Sequence, residues 1–265
     1  MLTALRQFAR IDATKRARDH AVWLGPTLRE ASGSDNLCLG LFSAGRSIHE
    51  AQLRLVDALA EGLPAGRWLD VGSGLGGPAH RWLEDEDRQV TAVELVPGRV
   101  ARTPPHPRLR SIVGDADRMP FFEEFDVVLA LESGHYARDL SQFLHQCWLA
   151  LSPGGWLSAA VVLRKREHLR LYDVGVIRAA EQALGCSPLA TSEDWESILA
   201  RTGFVDVRLQ DRSKEVIAGL PLWADALATA GGSRGSLGAR CLRYVARRGS
   251  SGPLRYGLVR ARKPQ

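Results

Sequence analysis

Residues 67–82 read Arg-Trp-Leu-Asp-Val-Gly-Ser-Gly-Leu-Gly-Gly-Pro-Ala-His-Arg-Trp. Gly72, Gly74, Gly76 and Gly77 let backbone come close to a bound molecule, because glycine has no Cβ. Gly72, Gly74 and Gly77 satisfy the spacing Gly-x-Gly-x-x-Gly, and the acid Glu94 follows at the distance that suits the hydroxyls of a ribose. That pattern alone suits a dinucleotide. Asp70 argues the other way, since a carboxylate two residues before the first glycine would repel a pyrophosphate. The same carboxylate attracts a ligand that carries an amine and a sulfonium. Glu94 can accept from both ribose hydroxyls in either case, so these residues by themselves leave both ligand classes open.

The elements that must position these groups follow from periodicity and punctuation. Trp68, Leu69 and Val71 form the end of a buried strand, and a helix starts at Pro78, proline being tolerated in a first turn. Before them, residues 48–63 carry Leu53, Leu55, Val56, Leu59 and Leu63 at helical spacing. Further strands are predicted over 89–95, 109–113, 125–131 and 156–163, and a helix over 140–151 that Ser152-Pro153-Gly154-Gly155 stops. The segment after the second strand leaves room for barely a helical turn before Thr103-Pro104-Pro105-His106-Pro107. Such alternation of strand and helix marks a doubly wound α/β sheet. Helices over 171–184 and 192–202 come next, then strands over 204–209 and 254–259, read as a terminal hairpin with a helix between them. Residues 231–238 and 249–252 read as glycine-rich loops, and 36–42 as a loop too short and glycine-broken to join the core.

Three later motifs decide between the ligand classes. Gly114-Asp115-Ala116-Asp117 follows the third strand, with Met119-Pro120-Phe121 behind it; Phe125-Asp126-Val127-Val128 opens the fourth, and Leu151-Ser152-Pro153-Gly154-Gly155 precedes the fifth. In this order and spacing the chain resembles the class I S-adenosylmethionine (SAM)-dependent methyltransferases. It is most similar to the small-molecule branch with the ubiquinone/menaquinone, tocopherol, sarcosine and natural-product sugar methyltransferases. The resemblance runs over about residues 36–163 and more loosely through 192–195, 202–204, 211–213 and 256–264. It implies a Rossmann-like, mostly parallel seven-stranded sheet with an antiparallel last strand, an N-terminal helical lid and a helical insertion after strand five.

It also implies a set of roles. Asp70, Gly72, Ser73 and Gly74 would hold the methionine part of SAM, Glu94 the ribose and Leu95 one adenine face. Asp115 would accept from the adenine amino group, Ala116 would donate through its backbone, and Leu131 and Glu132 would line the sulfonium side. Residues 36–42 match the family's Asn-Leu-His-Leu-Gly-Tyr-Trp lid, with Cys38, Leu41 and Phe42 where the family has His, Tyr and Trp. Asp117 reads as solvated, Asp126 as a strand-start residue, and Gly154 and Gly155 as a turn that contacts nothing.

Methyl transfer is an in-line displacement for which a protein supplies mainly alignment and exclusion of water. A base is needed only when the acceptor loses a proton. His135, in the loop after strand four, is the candidate, and related sugar and quinone enzymes carry His at the matching position. The sugar enzymes add a second His and an acid where this chain has Tyr136 and Val161. The acceptor pocket is expected between the N-terminal helices and residues 164–200, with Tyr136, Tyr172 and Trp195 among its walls. The reading is methylation of a small molecule, O- slightly ahead of N- or C-. The alternatives are an RNA methyltransferase and a non-catalytic SAM-fold protein. Against RNA, strand four lacks an Asp-Pro-Pro-Tyr-type motif and no aromatic-plus-basic module precedes the fold. No His cluster has metal-ligand spacing.

Composition sets the frame. With 265 residues, 45% of them hydrophobic, the chain suits one α/β domain with a cap: helices and lid over 1–63, a SAM domain over 64–265 and an acceptor cap over 164–200. Cys38, Cys147, Cys186 and Cys241 form no Cys-x-x-Cys pair, which fits a reducing compartment. Neither a membrane-length apolar run nor a secretory core is present, so a cytoplasmic location is expected. The Arg-rich first twenty residues, with Leu5, Phe8 and Ile11 at helical spacing, read as a cofactor-covering helix ahead of a transit-type leader. The formal charge is +5, and from Arg234 to Lys263 basic residues recur with no acid after Asp225. A solvated surface, an anionic substrate, a membrane surface and RNA all fit that run.

Overall fold

The computed structural model describes residues 25–166, 169–229 and 232–265. The helical pattern at Leu5, Phe8 and Ile11 lies outside the described residues. The strands are β1 (Gly66–Val71), β2 (Arg88–Glu94), β3 (Leu109–Val113), β4 (Phe125–Leu131), β5 (Leu151–Arg164), β6 (Val205–Asp211) and β7 (Leu254–Arg262). They form one seven-stranded sheet in the order β3-β2-β1-β4-β5-β7-β6. β1 pairs in parallel with β2 and β4, as do β2 with β3 and β4 with β5, while β7 runs antiparallel between β5 and β6. Strand order reverses between β1 and β4, and the crevice beyond the carboxyl ends of those strands is where such sheets bind ligands.

The helices are α1 (25–32), α2 (Ile48–Ala60), α3 (Gly77–Trp82), α4 (Pro97–Val100), α5 (Leu140–Ala150), α6 (Leu171–Leu184), α7 (Ser192–Thr202), α8 (Ser213–Thr229) and α9 (Gly232–Arg248). Successive strand residues point to opposite faces, so Leu69, Val71, Val128 and Ala130 pack with Phe143, Leu144 and Leu199 on one side. Trp68, Val127 and Leu129 pack with Leu55, Leu59 and Trp82 on the other. Each such side chain contributes about 1.5–3 kcal/mol by leaving water. Local signals set the ends. Ser47 and Glu50 form a capping box at α2, Thr191 and Asp194 another at α7, and Gly203 (φ 101°) closes α7.

Several local readings change. Leu151 already pairs with Phe125, and 152–155 loop out before Trp156 pairs with Val127, so β5 starts earlier than predicted. Gly154 and Gly155 are not idle: the Gly154 N–H donates to the Pro264 carbonyl at 3.0 Å, and the Gly155 carbonyl accepts from Lys263 N at 2.9 Å. Two helices, not one, separate β6 from β7, and the glycines of 232–238 belong to α9. A Cβ on Gly235 would run into the Leu227 carbonyl oxygen; here glycine seats one helix against another instead of breaking it. The 36–42 loop is part of the core after all, with Cys38, Leu41 and Phe42 buried. Gln52 Nε2 donates to the Asn36 and Cys38 carbonyls at 2.5 and 2.9 Å, and the Phe42 ring fills the space a Gly219 Cβ would need.

Candidate active site

One pocket opens at the reversal point. Gly72 and Gly74 form its floor, Glu94 and Leu95 the end of β2, Asp115 and Ala116 the loop after β3, and Leu131, Glu132 and Tyr136 the end of β4 and the turn beyond it. Gly25 and Leu28 of α1, and Leu37 of the lid, border it too. Nine of the site residues expected from sequence thus meet around one space. Asp70 and Ser73 are buried and do not border it, Asp70 standing two residues before Gly72 at the end of β1.

Gly72 has φ 78°, and a Cβ there would lie 2.5 Å from Ser133 Cβ. The position therefore demands glycine for conformation and for space. The loop is tied to β2 by its own backbone: Gly72 N and Ser73 N donate to the Val93 carbonyl at 2.8 and 3.1 Å. Glu94 continues that tie, its two oxygens accepting from Gly74 N at 3.0 Å and Val96 N at 2.9 Å. Arg99 Nη1 stands 3.6 Å from the same carboxylate.

Asp70 is 1% exposed, and its Oδ2 is buried without a hydrogen-bond partner. Burial first, and then the nearby Glu94, raise its carboxyl pKa to about 7. Glu132 (φ 53°) accepts at Oε1 from Leu39 N at 3.0 Å and from the Tyr256 hydroxyl at 2.6 Å, which joins the lid and β7 to the end of β4. Burial raises its pKa to about 7 against the opposing pull of those hydrogen bonds.

Arg138 spans Asp115 and Asp117. Its Nη2 reaches Asp115 Oδ2, and its Nε and backbone N donate to Asp117 Oδ2 at 2.8 and 3.1 Å. Asp117 is 6% exposed, so the expectation of a solvated side chain is corrected: it is the buried anchor that holds the loop after β3 to the turn after β4.

That turn is a 3-10 helix, Gly134–Tyr136, and it sets the His135 and Tyr136 rings against each other with centroids 4.4 Å apart. Tyr136 borders the pocket at the reversal point. His135 borders a second cavity of about 160 Å³ with Val161, Val162, Ser187, Pro188 and Trp195. Ala137 and Arg138 border both spaces, so the turn is the wall between them. His135 Nδ1 is buried without a partner, and burial lowers the imidazole pKa to about 4, leaving the ring neutral near pH 7. Trp195 is buried against Gly134. Tyr172 is brought to neither cavity; it is 65% exposed and its ring stacks edge-on against Tyr244 at 4.8 Å.

Residues 69–159 match the methyltransferase domain family. Over 183 residues the chain is 30% identical to the 27-O-demethylrifamycin SV methyltransferase of Amycolatopsis mediterranei, covering 63% of this chain and 65% of that protein. Over 149 residues it is 32% identical to the ubiquinone biosynthesis O-methyltransferase of Paramagnetospirillum magneticum, covering 54% of this chain and 57% of that one. The chain thus spans just under two thirds of the first relative and less of the second. Residues 69–159 therefore carry a methyltransferase-type domain, and the chain is similar to SAM-dependent small-molecule methyltransferases. The fold agrees: this chain superposes on the cyclopropane synthase MmaA2 from Mycobacterium tuberculosis with a TM-score of 0.80 at 19% identity, over 94% of this chain and 98% of that one.

SAM is the cofactor of such methyltransferases, and the residues present fit it. Glu94, Asp115 and Glu132 put carboxylates on the lining, which suits a ligand carrying cationic groups, and the floor has no Cβ at Gly72 or Gly74 to hold a ligand away. Arg99 and Arg138 are each engaged with carboxylates, so the pocket offers no free pair of cations for a pyrophosphate. Sequence reasoning missed both arginines. Arg99, one turn beyond Glu94, was within reach of an i, i+5 inspection; Arg138 was not, since its partners lie on another loop.

Proposed function

We propose that this protein transfers a methyl group from SAM to a small-molecule acceptor, with a hydroxyl acceptor ahead of nitrogen or carbon. The observation that carries the reading is the pocket's lining, a glycine floor at Gly72 and Gly74 rimmed by Glu94, Asp115 and Glu132, with Asp70, whose buried Oδ2 lacks a partner, two residues before that floor in the chain. A dinucleotide phosphate would meet repulsion there; an amine and a sulfonium would not. In this reading Asp70, Gly72, Ser73 and Gly74 hold the methionine part. Glu94 takes the ribose hydroxyls with lone pairs left over from its two backbone bonds. Leu95, Asp115 and Ala116 hold the adenine, and Leu131 and Glu132 stand on the sulfonium side.

When bound, SAM supplies a methyl group already activated for displacement. The chain's own contribution is alignment and a dry site. His135 is the proposed proton acceptor. Its ring is neutral and its Nδ1 lacks a donor, which is what a hydroxyl would satisfy and then give its proton to. Tyr136, whose ring lies against that of His135, and Trp195, which borders the same cavity as His135, are the proposed acceptor contacts.

The test is incubation with SAM and a panel of phenols, sugars, quinols and amines, with S-adenosylhomocysteine and methylated product followed by mass spectrometry. Acceptor-dependent release of S-adenosylhomocysteine is the expected result. Failure to bind either SAM or S-adenosylhomocysteine would sink the proposal.

A further inference from the structure

The basic run noted near the C-terminus has a definite place in the fold. Arg240, Arg243 and Arg247 recur at i, i+3 and i+7 and are all exposed, so they form one outer stripe of α9. α9 contains no Asp or Glu. Arg243 Nη2 holds Asp225 of α8 at 2.8 Å, while among the described residues neither Arg240 nor Arg247 is paired with a carboxylate.

Beside this stripe stand apolar side chains that the fold does not cover. Leu237 of α9 is 41% exposed. On the same helix, Tyr244 packs against Tyr172 at the start of α6, next to Leu171, which is 93% exposed. The acid nearest this corner, Asp173, is buried and already bonded by the Tyr244 hydroxyl at 2.6 Å and Arg170 N at 2.9 Å. Unpaired cations and exposed apolar side chains therefore share one face with no free acid between them.

We propose that this face, the start of α6 with the outer stripe of α9, docks on an anionic phospholipid bilayer. Arginines at headgroup level, with Leu and Tyr reaching the acyl boundary, is the arrangement of interfacial helices. Leu171 decides between membrane and RNA. Unpaired bases could stack on Tyr172 and phosphates could satisfy the arginines, but RNA would leave the aliphatic Leu171 in water, whereas a bilayer takes both side chains. The proposal is independent of the methyl-transfer reading.

The test is co-sedimentation of the full chain with vesicles of pure phosphatidylcholine and of equal parts phosphatidylcholine and phosphatidylglycerol. Binding to the anionic vesicles alone, weakened by added salt, is expected. Arg240→Ala with Arg247→Ala should weaken partitioning roughly thirtyfold. Leu171→Ser with Leu237→Ser should weaken it while leaving the salt dependence in place. All four positions are at the surface, and melting temperatures should match the parent. Absence of sedimentation with anionic vesicles, equal binding to neutral ones, or parental binding by the arginine variant would each overturn the proposal. Tight, salt-sensitive binding of a single-stranded RNA oligonucleotide with no vesicle binding would also overturn it and assign the face to nucleic acid.

Discussion

Replacing Asp70 by Asn separates what this residue does for the free protein from what it does for a ligand. Its carboxyl pKa is raised from 3.8 to about 7, by burial first and by Glu94 second. The native state therefore holds this proton more tightly than the unfolded chain does. The contribution of this group to stability is fully present below about pH 4 and is lost as pH rises through about 7. A rise of that size corresponds to about 4 kcal/mol of cost for ionising the residue in the folded protein. Asn never ionises, but its amide brings polar groups to a site where one oxygen already lacks a partner, at a cost of about 1–3 kcal/mol. Urea denaturation should therefore show Asp70→Asn more stable than the parent by about 1–3 kcal/mol at about pH 8, and no more stable at about pH 4. Calorimetry should show SAM binding weakened, because the negative charge at the end of β1, two residues before the pocket's floor, is lost. A variant that is less stable at the higher pH, or that binds SAM as the parent does, would refute this account of Asp70.

Three further outcomes follow from the same geometry. Gly72→Ala places a Cβ 2.5 Å from Ser133 Cβ on a backbone at φ 78°, and should lower stability by about 2 kcal/mol or more and impair SAM binding, both measurable by thermal shift with and without cofactor. Arg138→Ala strips Asp117 of its guanidinium partner, and because Asp117 is buried the denaturation midpoint should fall by an amount equivalent to about 2–3 kcal/mol. His135→Ala should reduce kcat toward a hydroxyl acceptor roughly a hundredfold with SAM affinity unchanged. Because its pKa lies at about 4, His135 should place no limb in the parent's rate profile near neutral pH. Unchanged kcat in that variant would remove the base role.

How far the sequence could be read depended on how local each signal was. The sheet's central strand, 125–131, and helices 171–184 and 192–202 have the bounds expected, because apolar runs, a Thr191 cap and a closing Gly203 act over a few residues. The pocket's glycine floor and its acids were legible for the same reason, each sitting at the end of a strand. Three things were not. Phe42 is buried because Gly219, far along the chain, leaves room for its ring. α9 is a helix because Gly235 seats it on Leu227, a packing role that in sequence looks like a breaker. The placing of His135 and Tyr136, ring against ring at 4.4 Å yet lining different spaces, comes from the 3-10 turn that holds them, which adjacency alone does not reveal.

The most direct test of the central claim is a pair of calorimetric titrations of the unmodified protein, one with S-adenosylhomocysteine and one with NADH. A glycine-floored pocket lined by Glu94, Asp115 and Glu132 predicts saturable binding of the first and none of the second. Binding of NADH without S-adenosylhomocysteine would contradict it.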